Sequence, residues 1–129
     1  MAISSILNLT QHTATPEQKA QGVVEPGDIN KRQIQNLLTF SSIPTQREIM
    51  LRASVLAEIA DGYGCDSAMI GGAPYLMSAL EHELRALGIQ PLYSFTLRES
   101  VEEPQPDGSV RKVAVFRHVG FVEPPEVKS

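Results

Sequence analysis

Short apolar runs alternate with polar, glycine-bearing breaks along the chain, and their spacing predicts the elements. Ser5 to Leu9 is apolar and is followed at once by polar Thr10, Gln11 and His12, which predicts a short buried strand. Thr15, Pro16 and Gln18 form a helix start: Thr15 caps, Pro16 suits the first helical position and Gln18 can bond back to the cap, with Gly22 as the stop. The Glu25, Pro26, Gly27, Asp28 group signals a turn and a new cap, so Ile29 to Leu38 is read as a second helix. Pro44 and Thr45, with Glu48 three residues after the threonine, open a third and longer helix, which ends in the Asp61 to Gly64 segment.

Ser67 to Ile70 reads as a strand. Gly71, Gly72, Ala73 and Pro74 lead from it into a helix over Tyr75 to Leu87, whose Leu76, Leu80, Leu84 and Leu87 recur at spacings of three and four before Gly88. Ile89 to Phe95 predicts a third buried strand, extended by alternation through Leu97 and Val101. Pro106, Asp107 and Gly108 then turn the chain, and Val110, Val113, Val115, Val119 and Phe121 read as the apolar row of a returning strand. This order predicts a compact Rossmann-like α/β domain over residues 1–122, with a mostly parallel sheet, helices on its faces and a long C-terminal antiparallel hairpin; residues 123–129 are expected to be a mobile tail. The competing arrangement is an α+β fold dominated by the hairpin, with the N-terminal helices on one face.

Composition narrows the function. The 129 residues are 42% hydrophobic and 20% charged, ordinary values for a globular domain of this length. A net charge of -4 offers no basic field for duplex nucleic acid, and seven Phe and Tyr residues with no Trp give little capacity for stacking single strands. The lone Cys65 makes neither an internal disulfide nor a CxxC motif and fits a reducing compartment. No apolar stretch approaches the length of a membrane helix, and Met1 to Leu9 lacks a basic leader, so a cytoplasmic protein without a membrane partner is expected.

Ligands in open parallel sheets gather beyond the carboxyl ends of the strands. The segments placed there are Thr10, Gln11 and His12; Gly71, Gly72 and Ala73; and Ser94, Thr96, Arg98, Glu99 and Ser100. Gly71 and Gly72 before a helix can present N–H groups to an anion, or simply form a tight turn; neither a GxGxxG nor a P-loop pattern is present, and no cofactor is expected. His12 is the candidate acid or base, or else a solvated loop residue. Arg98 can clamp a phosphate, as can Arg117, or either can pair across the hairpin with Glu99 or Glu102. Tyr75 either lines the pocket or anchors the glycine turn. His82 and His118 lack HExxH spacing, so no metal site is expected, and Ser4, Ser5, Ser41 and Ser42 lack a GxSxG elbow.

The run IGGAPYLMSAL at Ile70 to Leu80 resembles the strand, Gly-Gly and helix element of CARF-type Rossmann-like domains and the related small ring nucleases, and NLTQH at Asn8 to His12 resembles their polar first-strand exit. The resemblance implies a homodimer that binds a cyclic or linear oligonucleotide across paired pockets, with phosphodiester cleavage as a further activity; Gly71 and Gly72 would contact the ligand through backbone and His12 through its polar loop. An appended effector domain is not expected here, and a long hairpin is expected in place of further crossover units. The reading is therefore a small protein that binds a nucleotide or phosphorylated ligand and forms a homo-oligomer. Its rival is a non-catalytic interaction domain that associates through the Phe95 to Phe121 hairpin edge.

Overall fold

The computed structural model describes residues 5–126. The elements run β1 (Ile6–Leu9), α1 (Pro16–Ala20), β2 (Val23–Val24), α2 (Asp28–Leu38), α3 (Gln46–Gly62), β3 (Ser67–Ile70), α4 (Pro74–Ala86), β4 (Gln90–Pro104) and β5 (Val110–Val122). They build one mixed α/β arrangement around a five-stranded sheet of order β2-β1-β3-β4-β5. The first four strands are parallel, and β5 returns antiparallel to β4. Of the N-terminal apolar run, residues 1–4 lie outside the described residues, as do residues 127–129 of the expected tail. Pro124, before them, accepts a hydrogen bond from the Arg85 guanidinium at 2.7 Å.

Alternation in the short strands feeds two apolar clusters. Leu7, Leu9, Ala68 and Ile70 point into the main core with Ile34 and Leu38 of α2, Leu56 and Ala60 of α3, and Leu76, Leu80 and Leu84 of α4. Ile6 and Met69, the intervening positions, join Ala14, Val23 and Leu92 in a smaller cluster against which Phe121 packs. Successive strand side chains face opposite sides, so three helices cover one face of the sheet while the hairpin end supplies part of the other. Each fully buried leucine contributes on the order of 2 kcal/mol to this core. Arg52 ties α3 to the end of α2: its guanidinium donates to the carbonyls of Leu37 and Thr39 at 3.2 and 2.6 Å and lies 4.2 Å from the centre of the Phe40 ring.

Two features depart from the sequence pattern. Val23 and Val24 form an edge strand beside β1, a piece too short for any alternation to register. β4 continues unbroken to Pro104, so Arg98, expected beyond a strand end, sits inside the hairpin opposite Phe116. The hairpin carries a bulge: Phe95 pairs with Gly120 and Thr96 with His118, leaving Val119 as the extra residue of β5. Among the described residues no helix is long and apolar enough to cross a membrane.

Candidate functional site

The cavity of interest lies where β4 leaves the parallel sheet. Pairing of β3 with β4 ends at Met69 and Leu92, and beyond that point β4 pairs only with β5, so the exits of β1 and β3 open beside the root of the hairpin. A space of about 510 Å³ forms there, within the size range of small-ligand pockets. Thr10, Gln11, His12 and Thr13 come from the loop after β1, Gly71 and Gly72 from the loop after β3, Thr15 and Gln18 from α1, and Ser94, Thr96, Phe116 and His118 from the hairpin.

The β1 exit is held by a buried amide. Asn8 is 2% exposed, and its Oδ1 accepts from the Thr10 backbone N–H at 2.9 Å and lies 2.7 Å from the Thr10 hydroxyl. Its Nδ2 donates to the His12 carbonyl at 2.7 Å and to Glu25 at 3.1 Å. Glu25 also accepts from the Ala14 backbone N–H and pairs with Lys31 at 3.9 Å. A buried amide that spends both ends on its own loop fixes that loop before any ligand arrives. His12 rides on it with an exposed side chain, while Gln11 Nε2 donates to the Thr39 hydroxyl at 2.8 Å.

The β3 exit depends on glycine at one position. Gly72 has a φ of 151°, and a Cβ added there would lie 3.4 Å from Met77 Cε. Gly71 has no such backbone requirement, and its Cβ position meets only Thr10 Cγ2 at 3.7 Å. Ala73 follows as the N-cap of α4, with Pro74 in the first turn and no side-chain cap.

The hairpin root carries a chain of polar side chains. His118 is 6% exposed. Its Nε2 lies 2.8 Å from Gln21 Oε1 and its Nδ1 2.6 Å from Ser94 Oγ, while the Phe121 ring lies tilted beside it at 4.7 Å between centroids. Burial pushes the His118 pKa down and outweighs the opposing pull of the Glu17 carboxylate, so the ring is neutral at neutral pH. Next to Ser94, burial and then the Glu81 carboxylate, which accepts the Tyr93 phenol at 2.6 Å, drive that phenol well above its ordinary range and keep it protonated.

The cavity thus brings together Thr10, Gln11, His12, Gly71 and Gly72. Ala73, Tyr75 and Arg98 lie outside its lining. Tyr75 instead stands edge-on to Phe40 at 5.3 Å beside a separate hollow with Ser41 and Ser42. Arg98 is exposed on the hairpin, and its neighbour Arg117 forms a cross-strand ion pair with Glu99 at 2.7 Å. Among the described residues no Lys or Arg lines the cavity, and no group of three His, Cys, Asp or Glu side chains is placed to hold a metal ion.

Sequence reasoning missed His118 as a site residue. The valine row of β5 assigned it to the polar, outward face, and the bulge at Val119 breaks that alternation. The partial signal was Gln18, whose predicted capping role holds: its Oε1 accepts from Thr15 N–H at 2.9 Å, leaving its Nε2 to reach Ser94 at 3.2 Å.

The model of the family described as Uncharacterized protein MJ1673 family matches residues 4–122, and the chain belongs to that family. No curated protein and no solved structure matches the chain.

Proposed function

We propose that the protein binds a nucleotide ligand joined by phosphodiesters, a short linear or cyclic oligonucleotide, in a Rossmann-like cavity at the strand exits. The observation that carries this reading is the chemistry of one lining. Hydroxyls, amides and two imidazoles from three distant stretches of chain meet apolar Met69, Ile70 and Phe116 around a single hollow. Apolar surface with a few convergent polar groups suits a base and sugar. A polyphosphate needs several cations, which this lining does not contain, whereas one diester charge can be met by His12 and the backbone of Gly71 and Gly72. The likeness of IGGAPYLMSAL and NLTQH to CARF-type domains and ring nucleases points the same way and adds a homodimer with paired pockets.

Thermal unfolding with added ligand tests the reading, because a ligand that binds the native state alone raises the midpoint. Oligoadenylates at millimolar concentration are expected to raise it, ATP and sugar phosphates far less. No rise with any nucleotide would remove the proposal.

A second reading rests on the hairpin. β5 is an edge strand, Phe116 on it is 71% exposed, and Val115 and Val119 are also exposed. Such an edge suits pairing with another chain, a second copy included. Light scattering with Val115→Lys examines it. A monomer at all concentrations whose pull-down partners are unaffected by the substitution would end this reading.

A further inference from the structure

Every proton in the Gln21, His118, Ser94, Gln18 chain has one consistent place. Gln21 Nε2 donates to the Val119 carbonyl at 3.1 Å, so its Oε1 faces His118 and requires the hydrogen on His118 Nε2. A neutral ring protonated there keeps a lone pair on Nδ1. At the other end, Gln18 Oε1 is occupied by the Thr15 N–H, so its Nε2 donates to Ser94 Oγ. Ser94 accepts that bond, and its own hydrogen is directed along the 2.6 Å contact to His118 Nδ1. The hydroxyl, the base and the amide that orients the base form one connected chain, and Ser94 and His118 both line the cavity.

We infer that Ser94 is a nucleophile activated by His118, and that Gln21 and Gln18 position the pair. The inference rests on the oligonucleotide reading for its substrate, a phosphodiester, and on the side-chain geometry alone for its chemistry. Ser94 Oγ attacks phosphorus as its proton passes to His118 Nδ1; the Oγ–P bond forms and the bond from phosphorus to the departing nucleoside oxygen breaks. His118 returns the proton to that oxygen. Water, deprotonated by the same Nδ1, then attacks phosphorus; the new O–P bond forms, the Oγ–P bond breaks, and His118 returns the proton to Ser94 Oγ. Gln21 Oε1 faces the Nε2–H throughout and holds the ring in the required tautomer, the part a carboxylate or amide plays in other nucleophile, histidine and orienter sets.

Reaction of the whole protein with diisopropyl fluorophosphate tests this directly. The serine oxygen bonds to phosphorus, fluoride leaves and the hydroxyl proton passes through His118 to solvent. Peptide mapping is expected to place the label on Ser94 ahead of the exposed Ser100 and Ser109. The rate should rise with pH as His118 loses its proton, then level off, and should fall about 100-fold in His118→Gln. Glu17 is the charged neighbour that acts on the ring, and Glu17→Gln should shift the profile to lower pH. Should His118→Gln fail to fold, the wild-type profile still decides: a flat rate, or labelling of Ser94 no faster than of Ser100, overturns the nucleophile. Saturating oligoadenylate is expected to protect Ser94. Labelling without protection leaves the nucleophile standing and overturns the phosphodiester substrate, whereas protection by an oligonucleotide that stabilises a protein with an inert Ser94 overturns the nucleophile and spares the ligand reading.

Discussion

Gln21 Oε1 and His118 Nε2 meet at 2.8 Å although 97 residues separate them. The contact joins the end of α1 to the hairpin and sets which ring nitrogen carries the proton. Gln21→Leu leaves the ring N–H and the Val119 carbonyl without this partner. We expect a stability loss of about 1–3 kcal/mol in urea denaturation, and a slower reaction at Ser94 because the ring is free to change tautomer.

The same ring makes stability depend on pH with a definite sign. Burial lowers the folded pKa of His118 below its ordinary 6.5, so between the two values the unfolded chain binds the extra proton. The stabilisation is present above 6.5 and is lost as pH falls through the folded value. Denaturation midpoints should therefore fall on acidification below pH 6.5, and His118→Gln should flatten that part of the curve. A curve that keeps its slope in the variant would assign the effect to another group.

Asn8 faces Glu25 with its amide nitrogen, and this polarity is essential to the loop. Asn8→Asp replaces the donor with an oxygen beside a carboxylate, in a position 2% exposed. The expected loss is about 2–4 kcal/mol at neutral pH, since a buried like-charge contact adds to the missing hydrogen bonds. Part of that loss should return at mildly acid pH, since two carboxyls that share a buried site hold a proton between them. Equal destabilisation at both pH values would contradict the account.

The two glycines of the β3 exit should answer differently to alanine. Gly72→Ala forces a side chain onto a φ of 151°, for an expected cost of about 1–3 kcal/mol. Gly71→Ala meets only ordinary contact with Thr10 and should stay within about 0.5 kcal/mol of the parent. Thermal melts of the two variants side by side give the comparison; similar losses would mean that the turn, and not the backbone angle, limits stability.

Much of the architecture was legible because local chemistry and tertiary packing agree. Thr15 and Gln18 form the capping box their spacing announces, Thr45 caps α3 through the Glu48 N–H, and the leucines at 76, 80 and 84 bury as their period requires. Placement of His12 with Gly71 and Gly72 likewise followed from the rule that strand exits share one edge. The hairpin root was not legible. Its register turns on one extra residue, Val119, and a bulge of that kind leaves no periodic trace. The sequence places Ser94 among the strand exits and His118 only in the returning strand, so nothing joins the two before strand pairing does, and Arg98 looks terminal because β4 outlasts its buried half.

The order of strands also governs when the cavity can exist. Its walls come from residues 10–18, ahead of α2, and from residues 116–118 in β5, so a ribosome must reach β5 before the last wall is available. The nascent protein can assemble β1, β3 and the helices that cover them while translation continues, yet it passes that whole interval without a closed site. A product that ends between Pro104 and Arg117 would keep the main apolar cluster but lack His118, and with it the proposed chemistry, which ties activity to the synthesis of β5.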